Sequence, residues 1–106
     1  MKKAALAGKI PQKLQSVLWS TDVKLLDKER DKNYIIHQIL SYGRLEDIRW
    51  LLSTYKKKAI IDVFAHVPYK DYEAARFYFV KNHLLNLKRQ LLDEMLYVKN
   101  IPRRLG

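Results

Sequence analysis

The sequence predicts an all-α protein, a compact bundle of four to five short helices plus a long C-terminal helix. Three observations carry that prediction. Apolar residues recur at threes and fours along most of the chain, the period of a helix with one buried face. Glycine and proline number three each, too few for the many tight turns of a sandwich or barrel. Residues 71–98 contain neither. At 106 residues the chain fits one domain, and an apolar fraction of 48% is enough for a packed core. The expected organisation is a flexible basic N-terminus at 1–9, a single helical domain at 10–100 and a basic tail at 101–106.

Residues 10–19 open the domain, with Pro11 in a first turn where its missing N–H costs nothing and Leu14, Val17 and Leu18 on one face. Ser20, Thr21 and Asp22 offer an N-cap for a short turn at 23–26. Residues 27–42 read as a helix whose stripe is Ile35, Ile36, Ile39 and Leu40. Gly43 follows as the expected left-handed cap residue. Residues 45–55 place Leu45, Ile48, Leu52 and Tyr55 at i, i+3, i+7 and i+10. Glu46 and Asp47 stand in the first turn, where the helix dipole favours them. Residues 59–67 form another short helix, ended by Pro68.

Along 71–98, Phe77, Val80, Leu84, Leu87, Leu91, Met95 and Val98 repeat at helical spacing. One long helix fits, with a break at Asn82-His83 or at Asn86 as the alternative, because Asn is a poor mid-helix residue. Phe79, Leu85, Leu92 and Leu96 make a second apolar track. A helix apolar over so much of its girth must be covered on more than one side. The second track is therefore a candidate interface, for a homodimer through this helix or for a partner.

The formal charge is +10 at pH 7, a balance that favours a polyanion or an acidic protein partner. Clusters stand at Lys2-Lys3, Lys56-Lys57-Lys58, Lys88-Arg89 and Arg103-Arg104. There is no cysteine, so thiolate metal sites and disulfides are excluded. No apolar run approaches the ~20 residues of a membrane span. The short Ala/Leu stretch near Met1 falls below the ~7 residues of a signal-peptide core. A cytoplasmic protein is the expectation.

Chemistry-bearing motifs are sparse. His37, His66 and His83 never stand at i, i+3 or i, i+4, so no local metal pair forms. No glycine-rich phosphate loop or nucleophile elbow exists. The pairs Glu46-Asp47 and Asp93-Glu94 are adjacent, and adjacent helical residues diverge by ~100°. Arg76 and His83 have the spacing of HEPN-type ribonucleases, which use an Arg and a His on RNA. Arg30 and His37 share that spacing, and Phe77 follows Arg76 where a polar residue is usual. Helices 45–55 and 59–67 could form a helix-turn-helix, with Arg49, Lys56, Lys57 and Lys58 on phosphates. The second helix offers only Asp62 and His66 as polar residues, poor material for base readout. The seven tyrosines could stack on bases but serve more simply as core edges, with Trp19 and Trp50 as core anchors.

The run Leu18-Trp19, Asp27 to Lys32, Tyr34-Ile35-Ile36, Leu40, Tyr42-Gly43, Leu45 to Leu52 and Tyr55 resembles a family of short prokaryotic helical proteins. Their genes often lie beside AbiEii/AbiGii-type nucleotidyltransferase toxins. The resemblance covers roughly residues 10–67. It implies an antitoxin-like role, in which the protein binds the neighbouring toxin and occludes it. On this reading there is no cofactor, no metal and no catalytic residue. Phe79, Leu85, Leu92 and Leu96 would make the contact, and Lys88, Arg89, Arg103 and Arg104 the electrostatics. A nucleic-acid-binding regulator of DNA or RNA is the alternative, and the ribonuclease a third.

Overall fold

The structure, a computed structural model, describes residues 10–99. The expected terminal segments 1–9 and 101–106, with Arg103 and Arg104, lie outside those residues. Within them the chain is helical and contains no strand longer than an isolated bridge. Four α-helices form: α1 Lys32–Tyr42, α2 Leu45–Thr54, α3 Lys57–His66 and the short α4 Ala74–Tyr78. Two 3-10 turns, Gln12–Ser16 and Val23–Leu25, precede them, and a third, Glu94–Leu96, follows.

α1 is the centre of the molecule. Every residue from Ile35 to Ser41 is buried, including His37, Gln38 and Ser41. A helix enclosed around its whole girth needs neighbours on all sides. The opening segment supplies Leu14, Val17, Leu18 and Val23, α2 supplies Ile48 and Leu51, and α3 supplies Ile60, Val63 and Phe64. The helix starts later than its sequence pattern suggests. Asp27 accepts the N–H groups of Glu29 and Arg30 at 2.8 Å each, and Asp31 accepts that of Asp27 at 2.9 Å. These local bonds give the backbone an alternative to helix and hold residues 27–31 as turns.

The opening segment is tied by one side chain. Gln15 donates to the carbonyls of Leu18 and Thr21, each at 2.8 Å, and accepts from Val23 N–H at 3.0 Å. Asp22 caps the Val23–Leu25 turn as expected, accepting from Lys24 N–H at 2.9 Å. α2 begins as the sequence predicts, with the buried Asp47 carboxylate accepting Arg44 N–H at 2.9 Å. Its buried apolar face is Ile48 and Leu51, continued by Tyr55 just past its end, whereas Leu45 and Leu52 face solvent.

Gly43 corrects an expectation. Its φ of −69° and ψ of 152° are ordinary extended backbone, not the left-handed region. Glycine is required there by proximity. A Cβ would stand 2.6 Å from Ile39 O and 2.9 Å from Ile39 Cγ2. We expect Gly43→Ala to destabilise the fold by about 1–3 kcal/mol, an overpacking cost. A thermal melt followed by circular dichroism checks this, and an unchanged midpoint would contradict the close approach.

The largest departure is the C-terminal third. No long helix spans 71–98. α4 ends at Tyr78 and passes into a π-helical turn, Phe79–Leu84, closed by Leu85 N–H on Val80 O at 2.9 Å. Asn86 then takes a φ of 56°, a conformation that Asn tolerates better than most residues, and the chain turns back. It returns far enough for Val98 to bridge Tyr72 in parallel, with Tyr72 N–H on Tyr97 O at 2.9 Å and Lys99 N–H on Tyr72 O at 2.8 Å. The homodimer expected through a long helix therefore loses its element. Leu85, expected on the outer track, is 1% exposed.

The returning segment is held by an aromatic cluster. The Phe64 ring lies 5.7 Å from Tyr72, 5.8 Å from Phe77 and 5.2 Å from Tyr97, measured between centroids. These separations are typical of favourable ring pairs.

Candidate functional site

A chemically dense cluster in the interior surrounds His37. Its Nε2 meets Val67 O, and its Nδ1 lies 2.8 Å from Tyr72 Oη. A carbonyl can only accept, so Nε2 carries the proton and Nδ1 accepts from the Tyr72 hydroxyl. The imidazole stacks on Tyr69 at 4.9 Å and 9°. Burial pushes its pKa down from 6.5 to about 4, against the backbone hydrogen bonds to Val67 and Val63 that raise it. Beside it Gln38 accepts from Tyr69 O–H at 2.7 Å and donates to Val17 O at 3.0 Å, while Ser41 donates to His37 O at 2.7 Å. No buried side-chain polar atom lacks a partner among the described residues. A network so fully satisfied rigidifies a core.

The carbonyls at the ends of α1 and α3 show how the same logic positions the surface. Helix C-termini leave unpaired acceptors. Tyr97 O–H takes Phe64 O at 2.6 Å, and Arg76 Nη1 takes Leu40 O at 2.8 Å. Arg76 is thereby fixed at the edge of a cleft.

Two clefts frame the C-terminal third. The first, about 400 Å³, is lined by residues including Tyr78, Lys81, Lys88, Leu91, Leu92 and Asp93. Leu91 is 99% exposed and Tyr78 is 40% exposed. Lys81 is buried, yet among the described residues its ammonium reaches only neutral oxygens, Asn82 Oδ1 at 3.3 Å and Lys88 O at 3.4 Å. The second cleft, about 460 Å³, is lined by Ser41, Tyr42, Glu73, Ala75, Arg76 and Phe79.

The residues expected to bind a partner are thus dispersed. Leu92 and Lys88 share the first cleft, and Arg89 is exposed in the adjoining turn. Phe79 lines the second cleft, Leu96 is half exposed, and Leu85 belongs to the core. Of the residues expected to meet nucleic acid, Arg49 lines a shallow depression with Arg44, Leu45 and Glu46. Lys56, Lys57 and Lys58 are exposed at the start of α3, where Lys58 pairs with Asp62 at 3.3 Å. Of the ribonuclease-spaced pairs, Arg30 is on the surface against Asp31 at 2.7 Å, whereas His37 is enclosed. His83 is exposed on the π-turn beside Phe79.

Trp19 also departs from expectation. It is 55% exposed and meets the Tyr42 ring edge-on at 4.8 Å, so it is no core anchor. The second cleft went unread because its walls come from two stretches about thirty residues apart, 41–42 and 73–79.

The fold and its surface define a small helical domain with clefts bordered by basic side chains. Residues 14–64 match a family described as a family of unknown function (DUF6922). That stretch runs from the opening turn to Phe64, the residue on which the returning segment packs. No curated protein matches the chain. No solved structure matches it either. Among the described residues no group of acidic or histidine side chains is placed to hold a metal ion, and no helix is long and apolar enough to cross a membrane.

Proposed function

We propose that the protein is a binding module that docks another protein through the cleft around Leu91. One observation carries this reading: a fully exposed leucine beside a half-exposed tyrosine, over a buried lysine that has no carboxylate partner among the described residues. Single exposed apolar residues are ordinary, but an apolar group rimmed by polar side chains marks an interaction site. An acidic group on the partner would complete the hydrogen bonding of Lys81 while apolar side chains cover Leu91 and Tyr78. Asp93 on the rim restricts where that acidic group can sit.

The net charge supports the same direction. Only two ion pairs form among the described residues, Arg30–Asp31 and Lys58–Asp62, so most of the positive charge faces outward and steers acidic partners. The sequence resemblance makes a nucleotidyltransferase-type toxin the first partner to test, with neutralisation by occlusion as the mechanism.

The test is co-expression with the product of the adjacent gene, followed by size-exclusion chromatography. We expect co-elution. We expect Leu91→Asp to weaken it by at least about ten-fold, the loss of one apolar anchor, with an unchanged melting midpoint because Leu91 packs on nothing. Failure to co-elute at any salt concentration, or full binding by Leu91→Asp, would overturn the proposal.

A further inference from the structure

We infer that the second cleft, between the end of α1 and α4, binds an unstacked nucleobase carrying a phosphate. This inference does not rest on the docking proposal, because the two clefts share none of their lining residues.

The walls combine rings and cations. Tyr42 and Phe79 both line the cleft, and Phe79 keeps 42% of its surface in water. Trp19 extends the aromatic surface beyond Tyr42. The Lys99 ammonium is held at that wall, 3.2 Å from Tyr42 Oη and 5.1 Å from the ring centroid. Its hydrogen bond to the phenol raises its pKa, so it stays charged. Arg76 uses one N–H on Leu40 O, which leaves most of its donor fork open to an anion. Glu73 is the carboxylate in the lining, and its charge favours the charged form of Lys99.

A ring wall beside two fixed cations matches the chemistry of a nucleotide. Aromatic side chains hold bases by stacking without regard to sequence, and Arg and Lys meet the phosphate. A cleft of about 460 Å³ falls within the range of small-ligand sites. It suits one splayed base and not a duplex, whose base faces are hidden in the stack. The phosphate and base could come from a free nucleotide or from single-stranded nucleic acid.

The test uses intrinsic fluorescence. The chain has two tryptophans, so Trp50→Phe leaves Trp19 as sole reporter. Adenosine monophosphate and a ten-nucleotide single-stranded deoxyadenylate are each titrated at low salt. We expect saturable quenching of Trp19 by at least one probe. Tighter binding of the oligomer with a steep salt dependence identifies a strand as the source, and equal affinity identifies the free nucleotide. Arg76→Gln removes the charge while keeping a polar side chain. Arg76→Gln, Lys99→Gln and Phe79→Ala should each weaken binding by about ten-fold, the share expected of one charge or one stacking ring. Circular dichroism confirms that each variant folds, and Lys99 and Phe79 provide the reading if Arg76→Gln does not. Absence of quenching with both probes, or quenching unchanged in the folded variants, would overturn the inference.

Discussion

Phe64→Ala is expected to remove about 3–5 kcal/mol of folding free energy, the cost of truncating a buried phenylalanine. Phe64 has no exposed surface, and its ring faces Tyr72, Phe77 and Tyr97 together. The cavity would open where three chain segments meet, so no single side chain can move to fill it. Small domains have only about 5–15 kcal/mol in total, and the variant should sit near the edge of stability. Urea unfolding measures the loss. Tyr97→Phe keeps the ring and deletes only the hydroxyl on Phe64 O, and a smaller cost of about 1–3 kcal/mol is expected for the acceptor left unpaired. A Phe64→Ala penalty under about 1 kcal/mol would contradict a shared aromatic core.

Acid should destabilise the protein in a defined window. The His37 pKa lies near 4 in the folded state against 6.5 ordinarily. Between those values the unfolded chain takes up a proton that the folded chain refuses. Stability is therefore complete above pH 6.5, falls as the pH drops from 6.5 towards 4, and levels off below that. The full difference is about 3 kcal/mol. Asp27 and Asp31 are shifted the same way, held below the ordinary carboxylate value of 3.8, Asp27 by backbone N–H bonds and Asp31 by its bond to Arg30. Their effect begins below the histidine window. Urea unfolding at pH 7 and pH 4.5 checks the prediction. His37→Gln should flatten the difference between the two, and an undiminished difference would assign the acid sensitivity elsewhere.

The sequence was most legible where apolar spacing and burial coincide. Ile35, Ile36, Ile39 and Leu40 all enter the core, as do Ile48, Ile60, Val63 and Phe64. It was least legible where apolar residues serve a loop. Leu85 and Leu87 are buried without being on an α-helix, and Leu91 is exposed without being on one. Period alone does not separate these cases, because a chain that doubles back places residues in the core at the same intervals. Asn86 was the readable sign, as the one of the suspected break points whose backbone reverses the chain.

The His37 cluster was hidden for a different reason. Its partners are Tyr72 and a carbonyl at Val67, 35 and 30 residues away in the chain, and no local pattern announces such a pairing. The same holds for Arg76 and Lys99 beside Tyr42. Their sequence separation conceals a shared cleft, while the adjacency of Lys56, Lys57 and Lys58 suggested a site that the fold leaves as exposed lysines at a helix start.

The bridge between Tyr72 and Val98, with Tyr97 packed inside, also bears on how the protein is born. A nascent chain can form α1, α2 and α3 from what has already emerged, but Phe64 waits for a partner more than thirty residues downstream. Until residue 99 clears the ribosome, the face that Tyr97 covers stays wet and adhesive. Such late closure slows folding and invites chaperones to hold the unfinished chain.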